Sequence, residues 1–140
     1  MDVLFVAGFA PIVADPATAQ RFYRDTLGLP LEVVTGDYVA TDDVEGVKHL
    51  GVWPLAYAAQ SCFGRPTWPD DVPVPQATIE FEVADVEAAA TELEQAAHTL
   101  IHGARTEPWG QTLARLLGPE GLLVGLSHTP WLREDVSTDR

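Results

Sequence analysis

Apolar and polar positions follow one pattern that the chain runs through twice. Residues 3–14 form an apolar run ending in Val13-Ala14-Asp15, and a second run from Ala77 ends in Val83-Ala84-Asp85. Short apolar runs bounded by cap or turn residues predict buried strands. Each run leads into an Ala-containing helical stretch. Asp15 and Asp85 are placed to cap these helices, and Pro16 takes the first helical position, where its missing N–H costs nothing. The first helix is predicted to reach about Leu27 and stop at Gly28, a residue that tolerates the left-handed region. The second is predicted from Val86 to about Ala97, with His98 standing where the first copy has Gly28. Three short strands follow each helix, at 31–35, 37–41 and 47–53, then at 99–102, 111–117 and 121–127. Gly36, Asp42, Asp43 and the Gly118-Pro119-Glu120-Gly121 hairpin separate them.

Between the copies, residues 54–76 carry Pro54, Pro66, Pro69, Pro73 and Pro75. This predicts an extended connector, neither strand nor helix. Its Tyr57, Phe63 and Trp68 are candidates for a lid or wall over a pocket. Asp15 and Asp85 stand 70 positions apart in a chain of 140 residues. Such a repeat suggests duplication, with a cleft shared by the halves. The division is 1–75 for the first module with its connector, and 76–140 for the second module with a tail that frays at its end. Both belong to one structural domain.

Composition narrows the function. The chain is 46% hydrophobic and 21% charged, the balance of a soluble globular protein. No stretch is apolar enough for a membrane span. The start, Met-Asp-Val-Leu-Phe, lacks a basic flank, which places the chain in the cytoplasm. A formal charge of −13 argues against nucleic acid and anionic lipid and permits cationic ligands. Cys62 has no internal disulfide partner, fits a reducing compartment, and reads as a bystander thiol.

Strand alternation assigns faces. Phe9, Pro11 and Val13 share one face of the first strand, with Gly8, Ala10 and Ile12 on the other. Ile79, Phe81 and Val83 share one face of the fifth, with Thr78, Glu80 and Glu82 on the other. The all-apolar faces should meet the helices. The remaining faces should line a concave cleft, small and apolar in the first half and carrying two carboxylates in the second.

The strand–helix–three-strand repeat, with Phe22-Tyr23-Arg24-Asp25-Thr26-Leu27-Gly28-Leu29, Glu107-Pro108-Trp109-Gly110-Gln111 and Gly118-Pro119-Glu120-Gly121-Leu122-Leu123-Val124, resembles the vicinal-oxygen-chelate superfamily. That group includes glyoxalase I, extradiol dioxygenases, methylmalonyl-CoA epimerase and the fosfomycin- and bleomycin-resistance proteins. The resemblance implies an α+β fold: two βαβββ modules forming a curved, mostly antiparallel sheet with helices on its convex side. It also implies a homodimer. In members that catalyse, a divalent metal sits in the cleft, held by His, Gln or Glu. The matching positions here are Gly8, Thr78 and Gly125, with Gly51 and Trp53 as candidates for the remaining one. None offers a good donor.

The sequence therefore points to a cytoplasmic, metal-free and cofactor-free binding protein for an aromatic or cationic small molecule, with drug sequestration as its role. Its expected contacts are Trp53, Tyr57, Phe63, Trp68, Trp109, Glu80, Glu82 and His49, with no catalytic residue. The alternative is a lyase, isomerase or dioxygenase with a rearranged divalent-metal site at His49 and Glu80. His98 and His102 are expected on the surface, and His128 in a structural role.

Overall fold

The computed structural model describes residues 1–133. Glu134, Asp135 and the rest of the tail lie outside the described residues. The first half contributes β1 (Val3–Val13), α1 (Pro16–Gln20), β2 (Glu32–Thr35), β3 (Tyr38–Thr41) and β4 (Leu50–Pro54). After α2 (Leu55–Phe63), the second half contributes β5 (Ala77–Val83), α3 (Val86–Gln95), β6 (His102–Thr106), β7 (Thr112–Leu117) and β8 (Leu123–His128). The strands form one sheet in the order β2-β3-β4-β1-β5-β8-β7-β6. In each half the first strand runs parallel to the last, β1 with β4 and β5 with β8. The halves join within the chain through the antiparallel β1–β5 pair, and every other neighbouring pair is antiparallel. This is the α+β sheet of two βαβββ units expected from the repeat.

Both helix starts form as their caps dictate. Asp15 accepts a hydrogen bond from the Thr18 N–H at 3.2 Å, and Asp85 accepts one from Ala88 N–H at 3.0 Å. The first helix departs from the expected form after Gln20. Arg21–Thr26 widens into a π-helical turn, in which the Leu27 N–H reaches back to the Phe22 carbonyl. Gly28, at φ +75°, ends it. In the second helix the left-handed residue is Ala97, at φ 70°, rather than His98. The His98 N–H bonds the Leu93 carbonyl, closing the helix one residue earlier than the repeat suggested.

The connector corrects the expectation more strongly. Leu55–Phe63 is an α-helix. Pro54 stands at its N-cap in extended conformation and Gly64 closes it at φ 74°. The prolines that argued for extended chain leave 55–65 free, and Ala58, Ala59 and Cys62 supply a buried stripe at helical spacing. Only the remainder, from Gly64 onward, is irregular.

Three apolar clusters hold the layers together. Ala89 and Ala90 of α3 pack with Val83, Ala114 and Leu126 on the convex face. Leu31, Val39 and Val52 pack with Val13, Ala19 and Tyr23 beneath the first helix. The third cluster gathers Ala58, Ala59 and Cys62 of α2 with Trp68 and Leu123, flanked by Ile12 and Trp53 from the first half and Leu117 from the second. Helix α2 thus straddles the seam between the halves on the concave side and closes one end of the trough.

Candidate ligand-binding cavity

The trough encloses a cavity of about 620 Å³, within the usual range for small-molecule sites. Its floor is a single row of cross-strand partners. Gly8 stands opposite Glu80, Glu80 opposite Gly125, Gly125 opposite Arg115, and Arg115 opposite His102. Gly125 gives the Glu80 side chain its space, whereas Gly8 leaves ordinary contact distance to it. A Cβ on Gly8 would lie 3.5 Å from Glu80 Oε1, and one on Gly125 would lie 3.1 Å from Glu80 Cγ.

Gln111, nearly buried at the end of the 107–111 turn, fixes Glu80 from above. Its Nε2 donates to Glu80 Oε1 at 3.1 Å and to Thr129 Oγ1 at 2.8 Å, and its Oε1 accepts from Trp109 Nε1 at 2.9 Å. One amide therefore positions a carboxylate on the floor and an exposed indole at the rim. Trp53 and Tyr57 form the wall at the α2 end. The Tyr57 hydroxyl accepts a hydrogen bond from the Asp37 N–H at 2.9 Å, tying α2 to the β2–β3 turn. Gly36 in that turn, at φ +52°, has no room for a Cβ against the same hydroxyl. Trp131 and Leu132 close the opposite end.

His49 and Tyr38 line the first-half side. His49 Nδ1 is 2.7 Å from Asp42 Oδ1, and Nε2 is 2.6 Å from the Tyr38 hydroxyl. A carboxylate on Nδ1 holds the proton there, so Nε2 accepts and Tyr38 donates. Burial, reinforced by the charges of Glu80 and Asp42, pushes the Tyr38 phenol well above its ordinary range, so it stays protonated. Gly51 lets the Tyr38 ring lie across β4, since a Cβ there would sit 2.6 Å from its hydroxyl.

These residues do not fit a divalent metal. Thr78 Oγ1 is spent on the Leu123 carbonyl at 3.0 Å, both His49 nitrogens are engaged, and Gly8 and Gly125 carry no donor. Among the described residues, no three His, Cys, Asp or Glu side chains converge.

Of the expected contacts, Trp53, Tyr57, Trp109, Glu80 and His49 line the cavity. Phe63, Trp68 and Glu82 do not, and their placement is corrected. Phe63 and Trp68 pack edge to face at 4.9 Å in the α2 cluster, with the Trp68 Nε1–H donated to the Val72 and Pro73 carbonyls. Glu82 does share a face with Glu80, but Thr129 and the helical residues 130–133 after β8 fold over it. It is fully buried and accepts from Ser127 Oγ at 2.8 Å, the Thr129 N–H at 2.6 Å and Arg133 Nε at 2.9 Å.

Sequence reasoning missed Tyr38, Gln111 and Arg115. An arginine inside Thr112-Leu113-Ala114-Arg115-Leu116-Leu117 was the available signal, because a charge on an apolar strand needs a partner or a ligand. Arg115 is 1% exposed and its Nη1 donates to Glu107 Oε1 at 2.7 Å and to His102 Nε2 at 3.0 Å. His102, expected on the surface, is thus half-buried in the Arg115 cluster. Desolvation lowers its pKa, and its Nδ1–H bonds the Gly103 carbonyl at 2.8 Å. His98 and His128 are exposed outside the cavity. Burial pushes the Cys62 thiol up to about 11, which leaves it unreactive.

Residues 7–126 match the model of the Glyoxalase/Bleomycin resistance protein/Dioxygenase superfamily, and the chain belongs to that superfamily. Among solved structures it is similar to a superfamily member from Vibrio splendidus 12B01, at 17% identity and TM-score 0.59, covering 89% of this chain and 97% of that one. Methylmalonyl-CoA epimerase from Mycobacterium tuberculosis matches at 16% identity and TM-score 0.56, covering 94% and 93%. The Streptomyces coelicolor epimerase in complex with 2-nitronate-propionyl-CoA matches at 16% and 0.56, covering 92% and 99%. At these identities the likeness is one of fold. No curated protein sequence matches the chain. Among the described residues, no helix is long and apolar enough to cross a membrane.

Proposed function

We propose that this chain is a small-molecule binding protein of the glyoxalase/bleomycin-resistance type, which captures its ligand in the inter-module cavity without metal and without chemistry. The observation that carries the reading is the composition of the site. Three indoles and a phenol (Trp53, Trp109, Trp131 and Tyr57) surround a floor on which Glu80 stands between two glycines, and the positions that the family resemblance assigns to metal ligands are Gly8, Gly125 and Thr78, whose hydroxyl is bonded to the Leu123 carbonyl. Aromatic faces bind planar or apolar bodies, and a carboxylate among them favours a cation or hydrogen-bond donor. Sequestration of a drug-like compound in the cytoplasm by a homodimer is the role this supports. The dimer is supported by Val33 and Val34, which lie exposed on the edge strand β2.

The test is a thermal-shift and tryptophan-fluorescence screen of planar cationic compounds, paired with elemental analysis of protein purified without chelator. Ligands that raise the melting temperature and quench fluorescence support the reading. One tightly held zinc, iron, nickel or manganese per chain overturns it. Light scattering at micromolar concentration checks the dimer, and a monomer mass removes it.

One observation favours a second reading, an acid–base enzyme. The Asp42–His49–Tyr38 hydrogen-bond chain ends on a hydroxyl in the cavity wall, an arrangement able to move a proton to or from a bound substrate. Turnover that Tyr38→Phe abolishes while ligand affinity is kept would establish it.

A further inference from the structure

We propose that Arg115 makes this cavity a receptor for a carboxylate, so that its ligand is an aromatic or apolar body bearing one carboxylate group. The proposal rests on the reading of the cavity as a ligand site and specifies what that ligand carries.

The argument begins with the guanidinium. Arg115 lines the cavity and is 1% exposed. Its Nη1 is committed to Glu107 and His102. Its Nε and Nη2 are buried and have no hydrogen-bond partner among the described residues. Buried polar groups in folded proteins are almost always satisfied, so an orphaned pair of charged donors asks what acceptor completes it. Nε–H and the nearer Nη2–H lie on one edge of the planar group and point the same way. That edge matches the two oxygens of a carboxylate.

Charge gives the same class. Around Arg115, two guanidinium groups share one carboxylate: Glu107 Oε1 lies 2.7 Å from Arg115 Nη1 and 3.3 Å from Arg105 Nη2. His102 adds no charge, since desolvation favours its neutral form and its Nε2 accepts from Arg115. The cluster of Arg115, Arg105 and Glu107 therefore holds one surplus positive charge, at the far end of the floor from Glu80. A single carboxylate neutralises it, whereas a doubly charged phosphoryl group would leave an uncompensated negative charge there.

The surroundings set the orientation. Gly125, the cross-strand neighbour of Arg115, presents no side chain along the floor between Arg115 and Glu80. The Trp53 ring lies 5.8 Å from Arg115 Cζ and offers an aromatic face beside the fork. A bound molecule would set its carboxylate at Arg115 and direct any donor toward Glu80, two strands away.

The experiment uses the full chain and three probes with one aromatic body: 2-naphthoate, 2-naphthamide and 2-naphthylmethylammonium, titrated against tryptophan fluorescence. Naphthoate is expected to bind at least tenfold tighter than naphthamide. Arg115→Lys keeps a charge beside Glu107 but lacks the fork, and should erase that preference. If Arg115→Lys does not fold, the Arg115 Nε–H resonance of the ¹⁵N-labelled wild-type protein serves instead. It should shift with naphthoate and stay still with naphthamide. Equal binding of naphthoate and naphthamide, or an unmoved Nε–H signal, overturns the proposal. Binding of the ammonium probe alone overturns it and leaves the binding-protein reading standing, whereas binding of none of the three overturns both.

Discussion

Glu80 and Gly125 are direct partners across β5 and β8, and a Cβ on Gly125 would come within 3.1 Å of both Glu80 Cγ and Leu113 Cδ2. The absence of a side chain at 125 thus gives the Glu80 methylenes uncrowded room.

The relation predicts the outcome of Gly125→Ala. Leu113 is fully buried and cannot yield freely. Overpacking of about 1–3 kcal/mol should outweigh the roughly 0.5–1 kcal/mol that Ala gains over Gly in a strand. Chemical denaturation should show a net loss of about 1 kcal/mol. Glu80→Gln should leave stability nearly unchanged and weaken a cationic ligand by about 1–3 kcal/mol in calorimetric titration.

Glu82 should behave in the opposite way. It is fully buried beneath Ser127, Thr129 and Arg133. Glu82→Ala strands those donors, and breaking such a buried charged cluster costs about 3 kcal/mol. The denaturation midpoint should fall accordingly. Because the helical segment it anchors carries Trp131 and Leu132 to the cavity, ligand affinity should fall secondarily, and Glu82→Gln should restore part of both.

Acidification should weaken the protein through His102. Desolvation lowers its folded pKa below 6.5, the ordinary histidine value. Between those two pH values the unfolded chain holds a proton that the folded chain does not. Stability therefore falls as pH drops through that window, by at most about 1.4 kcal/mol per pH unit for one proton, and the contribution is constant below the folded pKa. His102→Gln retains an acceptor for Arg115 and removes the titration. Melting temperatures measured from pH 7.5 to 5 should show a shallower slope in this variant.

Ala97→Gly should stabilise. Ala97 holds the left-handed conformation at φ 70° at the end of α3, where a Cβ is penalised and glycine is not. A gain of about 1 kcal/mol is expected in equilibrium unfolding. An unchanged or lowered midpoint would contradict it.

Much of this was legible in the chain. Val-Ala-Asp at 13–15 and 83–85 set the strand ends and caps, and the period-two pattern in β5 put Glu80 on the cleft face. What escaped has physical reasons. Glu82 obeyed the same alternation, yet its environment depends on residues 129–133 folding back, a contact far along the sequence that no local pattern encodes. Helix α2 was masked by the prolines at its two borders. The π-turn at 21–26 changes the backbone period without changing which residue types are used. Tyr38 and Arg115 each belong to a network closed by residues on other strands, and those networks exist only once the register is set.

Glu80 has for its repeat partner, 70 residues earlier, only Ala10. A perfect duplication would offer each contact twice, and a guest could lie in either of two equivalent directions. Here α2 stands at one end and the helical residues 130–133 at the other, while both Glu80 and Arg115 come from the second copy. The pseudo-twofold degeneracy of the floor is gone, and its charged side chains distinguish one direction along the cleft from the other.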